Sequence, residues 1–478
     1  MSYDKFTEFP ALDKTTTWGD AVDQSKIFWD NLLERVRVFE ADVEDWGAVG
    51  DGVTDDHAII QALIDNPLYS SIRIGHTSDK TFFITQPLRF VSDKKYYIGG
   101  TITIKDATIV SLSQNVTAGD TIIYLTSVTG FNVGEQICIT SDTLPLSGGG
   151  TGQTKRFSSS GQIKSVGSNY IEMVIGSLYD VLVADNGRVG HTQSLIVCDN
   201  ADNIEIYVSG VLDDNGTNQL DAEPVKFGGG EDTHHGCCLT FWQCHHVKVH
   251  VNEARNGQLH NVSFSGNATK KCYDITYSGY CHAAHDKNTL VAYTDKMNIT
   301  DYEGNDALFE DGIIFYVWCT NIFFSNIRVS NNNRYGVSFG NYCSVLVGRN
   351  IYTSGNTSAG INWIGKDINV SDIYSTDIGR ISLAYPCENI NISNWTFKSA
   401  TGTYILWFRG AVKRVNISNL IFDDCDGVAI RADKDYPLAG NDPCTDINII
   451  GGGIFNHKGA TNELAVGTDI VFTAFRNL

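Results

Sequence analysis

Glu310, Asp311 and Asp286 stand where stacked repeats would gather carboxylates. Apolar anchors recur at Val247, Ile275, Ile299, Ile322, Leu346, Ile368, Ile390, Val415, Ile447 and Ile470. Their period is about 23 residues, the spacing of a solenoid built from β-rich coils. In such a stack each coil lies roughly 4.8 Å from the last, so side chains at equal offsets form columns. An offset of about eleven or twelve residues past an anchor reaches Leu259, then Asp286 and Lys287, then Glu310 and Asp311, then Asn333 and Arg334. Further along it reaches Gly379 and Arg380, while His260 and His285 flank two of the earlier positions. Carboxyl groups one coil apart would sit roughly 5 Å from each other. Hydrolysis of a glycosidic bond needs such a pair. One acid protonates the leaving oxygen, and the other carboxylate acts as nucleophile or activates water. Crowding also raises the pKa of one member. Asp286, Glu310 and Asp311 are therefore the candidate catalytic residues. His260, His285, Arg334, Arg380 and Asp306 are the candidate sugar-binding residues.

Plainer readings compete with these. Asp before Gly is common at solenoid turns, because Asp supports the turn and Gly takes a positive φ. Asp213, Asp214 and Gly216 are read as structural on that ground. Glu303 and Asp306 share the enlarged coil YEGNDALFED with Glu310 and offer an alternative acidic set. His234, His235, His245, His246 and His250 look like a metal cluster, with His246 and His250 on one strand face. Zinc sites fix their ligands more tightly and add carboxylates or thiolates, so neither metal nor cofactor is expected. Trp242, Trp318, Trp363, Trp395 and Trp407 could stack on sugar rings, although half or more would serve packing.

Stacked coils must position these residues, and the cysteines mark the coils. Cys244, Cys272, Cys319, Cys343, Cys387 and Cys444 each sit three residues before an apolar strand residue. Contexts such as CYDITY, CTNIFF, CENINI and CTDINI are plainly related. A free Cys behaves as a small buried hydrophobe, so the expected structure is an internal cysteine ladder without disulfides. Free thiols fit assembly in a reducing cytoplasm.

The stretch Asp42 to Leu63, DVEDWGAVGDGVTDDHAIIQAL, reads as an extended segment, a Gly-rich turn and a helix. Thr54, Asp55 and Asp56 can supply N-cap oxygens, and Ala58, Ile59, Ala62 and Leu63 recur at helical spacing. The pattern resembles that of pectate-lyase-like right-handed β-helices, the group that includes phage tailspikes and polygalacturonases. The resemblance implies an all-β fold, a right-handed parallel β-helix whose N-terminal end is capped by this helix. A second stretch, from Glu310 onward, is similar to the polygalacturonase run in which D-D is followed one coil later by G-H-G. Glu310 and Asp311 match the acidic pair. Arg334, Tyr335 and Gly336 fall on the triplet, where the His is missing, and that argues against strict polygalacturonase activity.

Four regions follow. Residues 1–41 form a partly helical N-terminal arm, with Ile27, Phe28, Leu32, Leu33, Val36 and Phe39 near helical spacing. Residues 42–111 hold the capping helix and first coils. Residues 112–190 break the period and read as a small inserted β-domain, resembling the insertion of some tailspikes. Residues 191–478 form the main β-helix, with no separate C-terminal domain expected. The net charge of −20 and the pI of about 4.9 argue against nucleic acid as partner. The polar N-terminus lacks a secretory apolar core, and no stretch long enough to span a membrane is seen.

The tailspike resemblance implies a virion protein that binds a bacterial surface polysaccharide, a capsule or an O-antigen, and cuts it endo-wise by hydrolysis. It implies a homotrimer, and the N-terminal arm would meet other phage tail proteins. Two rivals share the fold. One is a polysaccharide lyase, with Lys287, Arg334 or His285 as base or cation. The other is an adhesin that grips without cutting.

Overall fold

The computed structural model describes residues 39–144, 156–220, 222–225, 236–340, 342–376, 381–410, 412–433, 444–455, 462–464, 470–473 and 476–477. The helical stretch expected in the N-terminal arm lies outside these residues, apart from Phe39–Asp42. That segment is a strand paired in parallel with Tyr69–Ile74. Arg380, His234 and His235 also lie outside the described residues.

Alternation of apolar and polar residues along each repeat makes strands, and these pair in parallel with the coils before and after. The fold is a right-handed parallel β-helix. Val247, Ile275, Met297, Ile322, Leu346, Ile368, Ile390, Val415, Ile447 and Ile470 share one register column. Met297 corrects the expectation of Ile299, which pairs instead with Tyr277 and Phe324. Residues two apart face the same side of a strand, so an apolar pattern alone does not separate them.

Aromatic rings fill the lumen in ranks. Phe315 stacks on Phe339, and Phe339 on Trp363. Trp363 and Trp395 are wholly buried and so are packing residues, not sugar platforms. The ladder cysteines are free and buried. Their thiols also reach carbonyls of the previous coil, as in Cys244 to the Cys198 oxygen at 3.2 Å and Cys319 to the Val291 oxygen at 3.3 Å. Burial pushes the Cys272 thiol up to about 12.

The capping helix spans His57–Asp65 and buries Ile60, Leu63 and Ile64. Ala58 and Ala62, which share the helical spacing with Ile59 and Leu63, are exposed. Asp56 stands at the N-cap but makes no capping bond. Its carboxylate instead accepts the Val49 and Gly50 amides at 2.7 and 3.0 Å, tying the Gly-rich turn to the helix. The Lys94 ammonium donates to the Ile64 and Asn66 carbonyls at the other end, where cations suit a helix.

A second sheet of antiparallel pairs runs from Ile109–Ser111 to Arg188–His191, and Ala222–Val225 joins it in parallel on Arg156–Val166. It has its own core, including Leu112, Ile137, Ile163 and Val189.

Candidate active site

Parallel pairing turns offsets along the chain into columns. The backbone amides of Asp286, Glu310 and Arg334 donate to Leu259, Asp286 and Glu310 in turn, so these residues form one column. His260 pairs with Lys287 in the column beside it. The short strands Lys287–Val291, Ile313–Phe315 and Tyr335–Phe339 hold this edge in place.

Buried amides support it from beneath. Asn261 donates to Asn288, Asn288 to Asn332, and Asn332 to Asn356, at 2.9, 3.2 and 2.9 Å. Gly312 and Gly336 make room for this run. A Cβ on either would come within 2.9 Å of the Asn332 or Asn356 amide.

The candidate residues converge on a lysine. The Lys287 ammonium lies 2.5 Å from both the Asp286 and the Glu310 carboxylates. Arg334 bonds the other Glu310 oxygen at 3.1 Å and lies over the Tyr335 ring. His260 Nδ1 is 3.9 Å from Asp286. Asp286, Glu310, Asp311 and His260 are buried, and Arg334 and Lys287 carry the cluster to the surface. Burial alone would depress Lys287, but Asp286, Glu310 and Asp311 outweigh it and hold the ammonium above its ordinary range. Lys287 is thus a poor base. Arg334 is likewise held protonated against its burial by Asp311 and Glu310.

Asp311 differs from its neighbours. Burial and the adjacent Glu310 push its carboxyl up to about 7, against the pull of Arg334 and Lys287. One oxygen accepts the Tyr335 amide at 3.1 Å, and the other is buried without a hydrogen-bond partner. A carboxylic acid that keeps its proton near neutral pH beside another carboxyl group is what acid catalysis of glycosidic cleavage requires.

Two predicted residues stand apart from this cluster. His285 packs its ring on Phe309 with centroids 4.3 Å apart. Asp306 is exposed at a bend and acts with Glu303 on Tyr280. Of the histidines that look like a metal cluster, two of the described ones are engaged with different partners. His246 bonds Asp202, and His250 bonds Ser278. Among the described residues no three His, Cys, Asp or Glu side chains converge as metal ligands.

An open groove of about 610 Å³ lies one bend earlier, lined by Asp301, Glu303, Arg328, Tyr352, Asp372 and Tyr374 among others. Its floor is set by left-handed bend residues. Asn326 donates to Asp301 and Asn350 to Asn326 across coils. Glu303, Arg328, Tyr352 and Tyr374 occupy one register column, and the two tyrosines stack at 5.5 Å. Asn305 links the two regions. Its side chain bonds Glu303, and its carbonyl accepts the amide of Asn288, next to Lys287. The sequence reading missed this groove. Its signal was the repeat IYTS, residues 351–354, and IYST, residues 373–376, one coil apart.

The fold and these columns define a β-helix protein with an acidic, aromatic-lined flank. No family model matches the chain, and no curated protein matches it. Solved structures do. The N-terminal fragment of gene product 12 of bacteriophage phi29 aligns at 12% identity and TM-score 0.53, over 95% of this chain and 73% of that one. The tailspike gp61 of Pseudomonas phage phi297 aligns at 13% identity and TM-score 0.38, over 88% and 80%. An exopolygalacturonase from Thermotoga maritima aligns at 12% and 0.44, over 89% and 92%. The phi29 likeness places the chain among proteins of this fold.

Proposed function

We propose that this protein binds a bacterial surface polysaccharide along the flank of its β-helix and cleaves it endo-wise by hydrolysis. The observation that carries the reading is the split character of neighbouring carboxyl groups: Asp311 titrates near 7 beside Glu310, which faces two cations. Asp311 delivers the proton to the leaving oxygen. Glu310 and Asp286 supply the nucleophile or the base for water. The sugar displaces Arg334 to reach them, and Arg334 and His260 then hold its hydroxyl or acidic groups. The groove binds the flanking residues of the chain, with Tyr352 and Tyr374 as a stacking surface. In the same reading the protein is a homotrimeric component of a phage tail. Its likeness in fold to a phage gene product supports the phage origin alone.

A specific observation favours a second reading, the adhesin. Lys287 neutralises both Asp286 and Glu310, and Asp311 is fully buried, while the groove is open. Gripping would need the groove alone.

The test is size-exclusion of purified capsules and O-antigens after incubation with wild type, Glu310→Gln and Asp311→Asn. Shortening by wild type that both variants lose, with no ultraviolet-absorbing product, supports hydrolysis at this cluster. Shortening that survives them moves the reaction elsewhere. A polymer that is bound yet keeps its length leaves the adhesin.

A further inference from the structure

A different edge of the coil carries exposed aromatics that folding does not explain. At the bend after the short strand, Asn200, Gln243, Tyr293, Trp318 and Tyr342 have positive φ, 54° at Trp318 and 63° at Tyr342. Asn tolerates that conformation well, and a bulky ring does not. At the bend lining the groove the same conformation falls to Asp301, Asn326, Asn350, Asp372, Asn394 and Asn419. Trp318 and Tyr342 also gain little from burial, being 44% and 60% exposed. Their rings stack on successive coils, with centroids 4.5 Å apart and planes 10° apart.

The next coil leaves the stack open. Five residues separate Ser338 from Ser344, but three separate Asn362 from Lys366, their register partners. The strand Ala359–Thr376 runs on through this region, so no bend residue continues the stack beyond Tyr342. Nearby, Tyr316 is 48% exposed. Its neighbour on the next coil is Gly340, where a Cβ would come 1.9 Å from the Tyr316 carbonyl oxygen. A glycine is therefore required there, and it lays no side chain over Tyr316.

We propose that Trp318, Tyr342 and Tyr316 form a second carbohydrate platform, on which the apolar face of a pyranose ring stacks. Tyr and Trp suit this task because each joins a flat apolar face to a polar edge. None of the three lines the groove. A long polymer that touches both places gains from the second contact without bimolecular cost, and a short fragment does not. This inference rests on the polysaccharide reading above.

The experiment uses Trp318→Asn and Tyr342→Asn, since Asn already occupies this bend at Asn200 and suits its backbone. Binding is measured by titration calorimetry with each capsule and O-antigen of the panel and with short oligosaccharides made from it by mild acid hydrolysis. We expect affinity for the long polymer to fall about tenfold, with thermal stability kept or raised. Trp318→Phe should keep most of the affinity. Undiminished polymer binding by both Asn variants, while wild type still binds or cuts, overturns the platform and spares the functional reading. A change in molar mass by light scattering in the variants overturns it in favour of a contact between copies. Wild type that binds no polymer of the panel overturns both.

Discussion

Replacing Asp311 by Asn tests the site through its protons. The carboxyl titrates near 7 in the folded chain against an ordinary 3.8, a difference of about three pH units. At 1.36 kcal/mol per unit this amounts to roughly 4 kcal/mol. The folded-state pKa is raised, so the native protein holds a proton that the unfolded chain releases between about pH 4 and pH 7. The resulting stabilisation is fully present below the unfolded pKa and is lost as pH rises through 7. Asn has nearly the same shape and no charge, so it removes this dependence. It also places an amide where a carboxylate oxygen has no partner, which costs about 1–3 kcal/mol at every pH. The readout is therefore the difference between wild type and variant as a function of pH, in which titrating groups that do not interact with Asp311 cancel. Urea unfolding, followed as rates if refolding fails, should show the variant gaining on wild type by up to about 1.4 kcal/mol per pH unit between pH 4 and pH 7. Parallel curves would refute the claim that Asp311 keeps its proton, and the acid role with it.

Lys287→Met should destabilise the fold by about 3–5 kcal/mol, because it strands Asp286 and Glu310 in a buried site. Thermal unfolding of the purified variant checks this, and an unchanged midpoint would mean that solvent already screens the pair. The folded protein should show almost no thiol reactive to a water-soluble disulfide reagent, and the denatured protein should show twelve. Fewer than twelve after denaturation without reductant would point to disulfides in place of the buried ladder.

The solenoid was legible because its cause is local and repeated. A strand that must stack on its predecessor writes the same apolar anchor into each coil and a Cys into six of the ten, and the anchors read from sequence pair as expected from Val247 to Ile470, apart from Ile299. The capping motif was legible because one Asp and several glycines serve a single turn. Counting along the coils also brought Asp286, Glu310 and Arg334 into one column, since parallel register preserves offsets. Burial, pairing and access were not legible. Nothing in the string DKNTL says that Lys287 draws two carboxylates onto one ammonium, because Glu310 arrives from the next coil. The titration of Asp311 depends on the low dielectric around it and on a neighbour's charge. Trp363 and Trp318 are the same residue type on nearby coils, yet one fills the lumen and the other stands in solvent. The sequence alone thus determined the repeat and the columns, which follow from periodicity. The tertiary structure decided which side of the wall each residue occupies and what faces it, because those depend on atoms far apart in the chain.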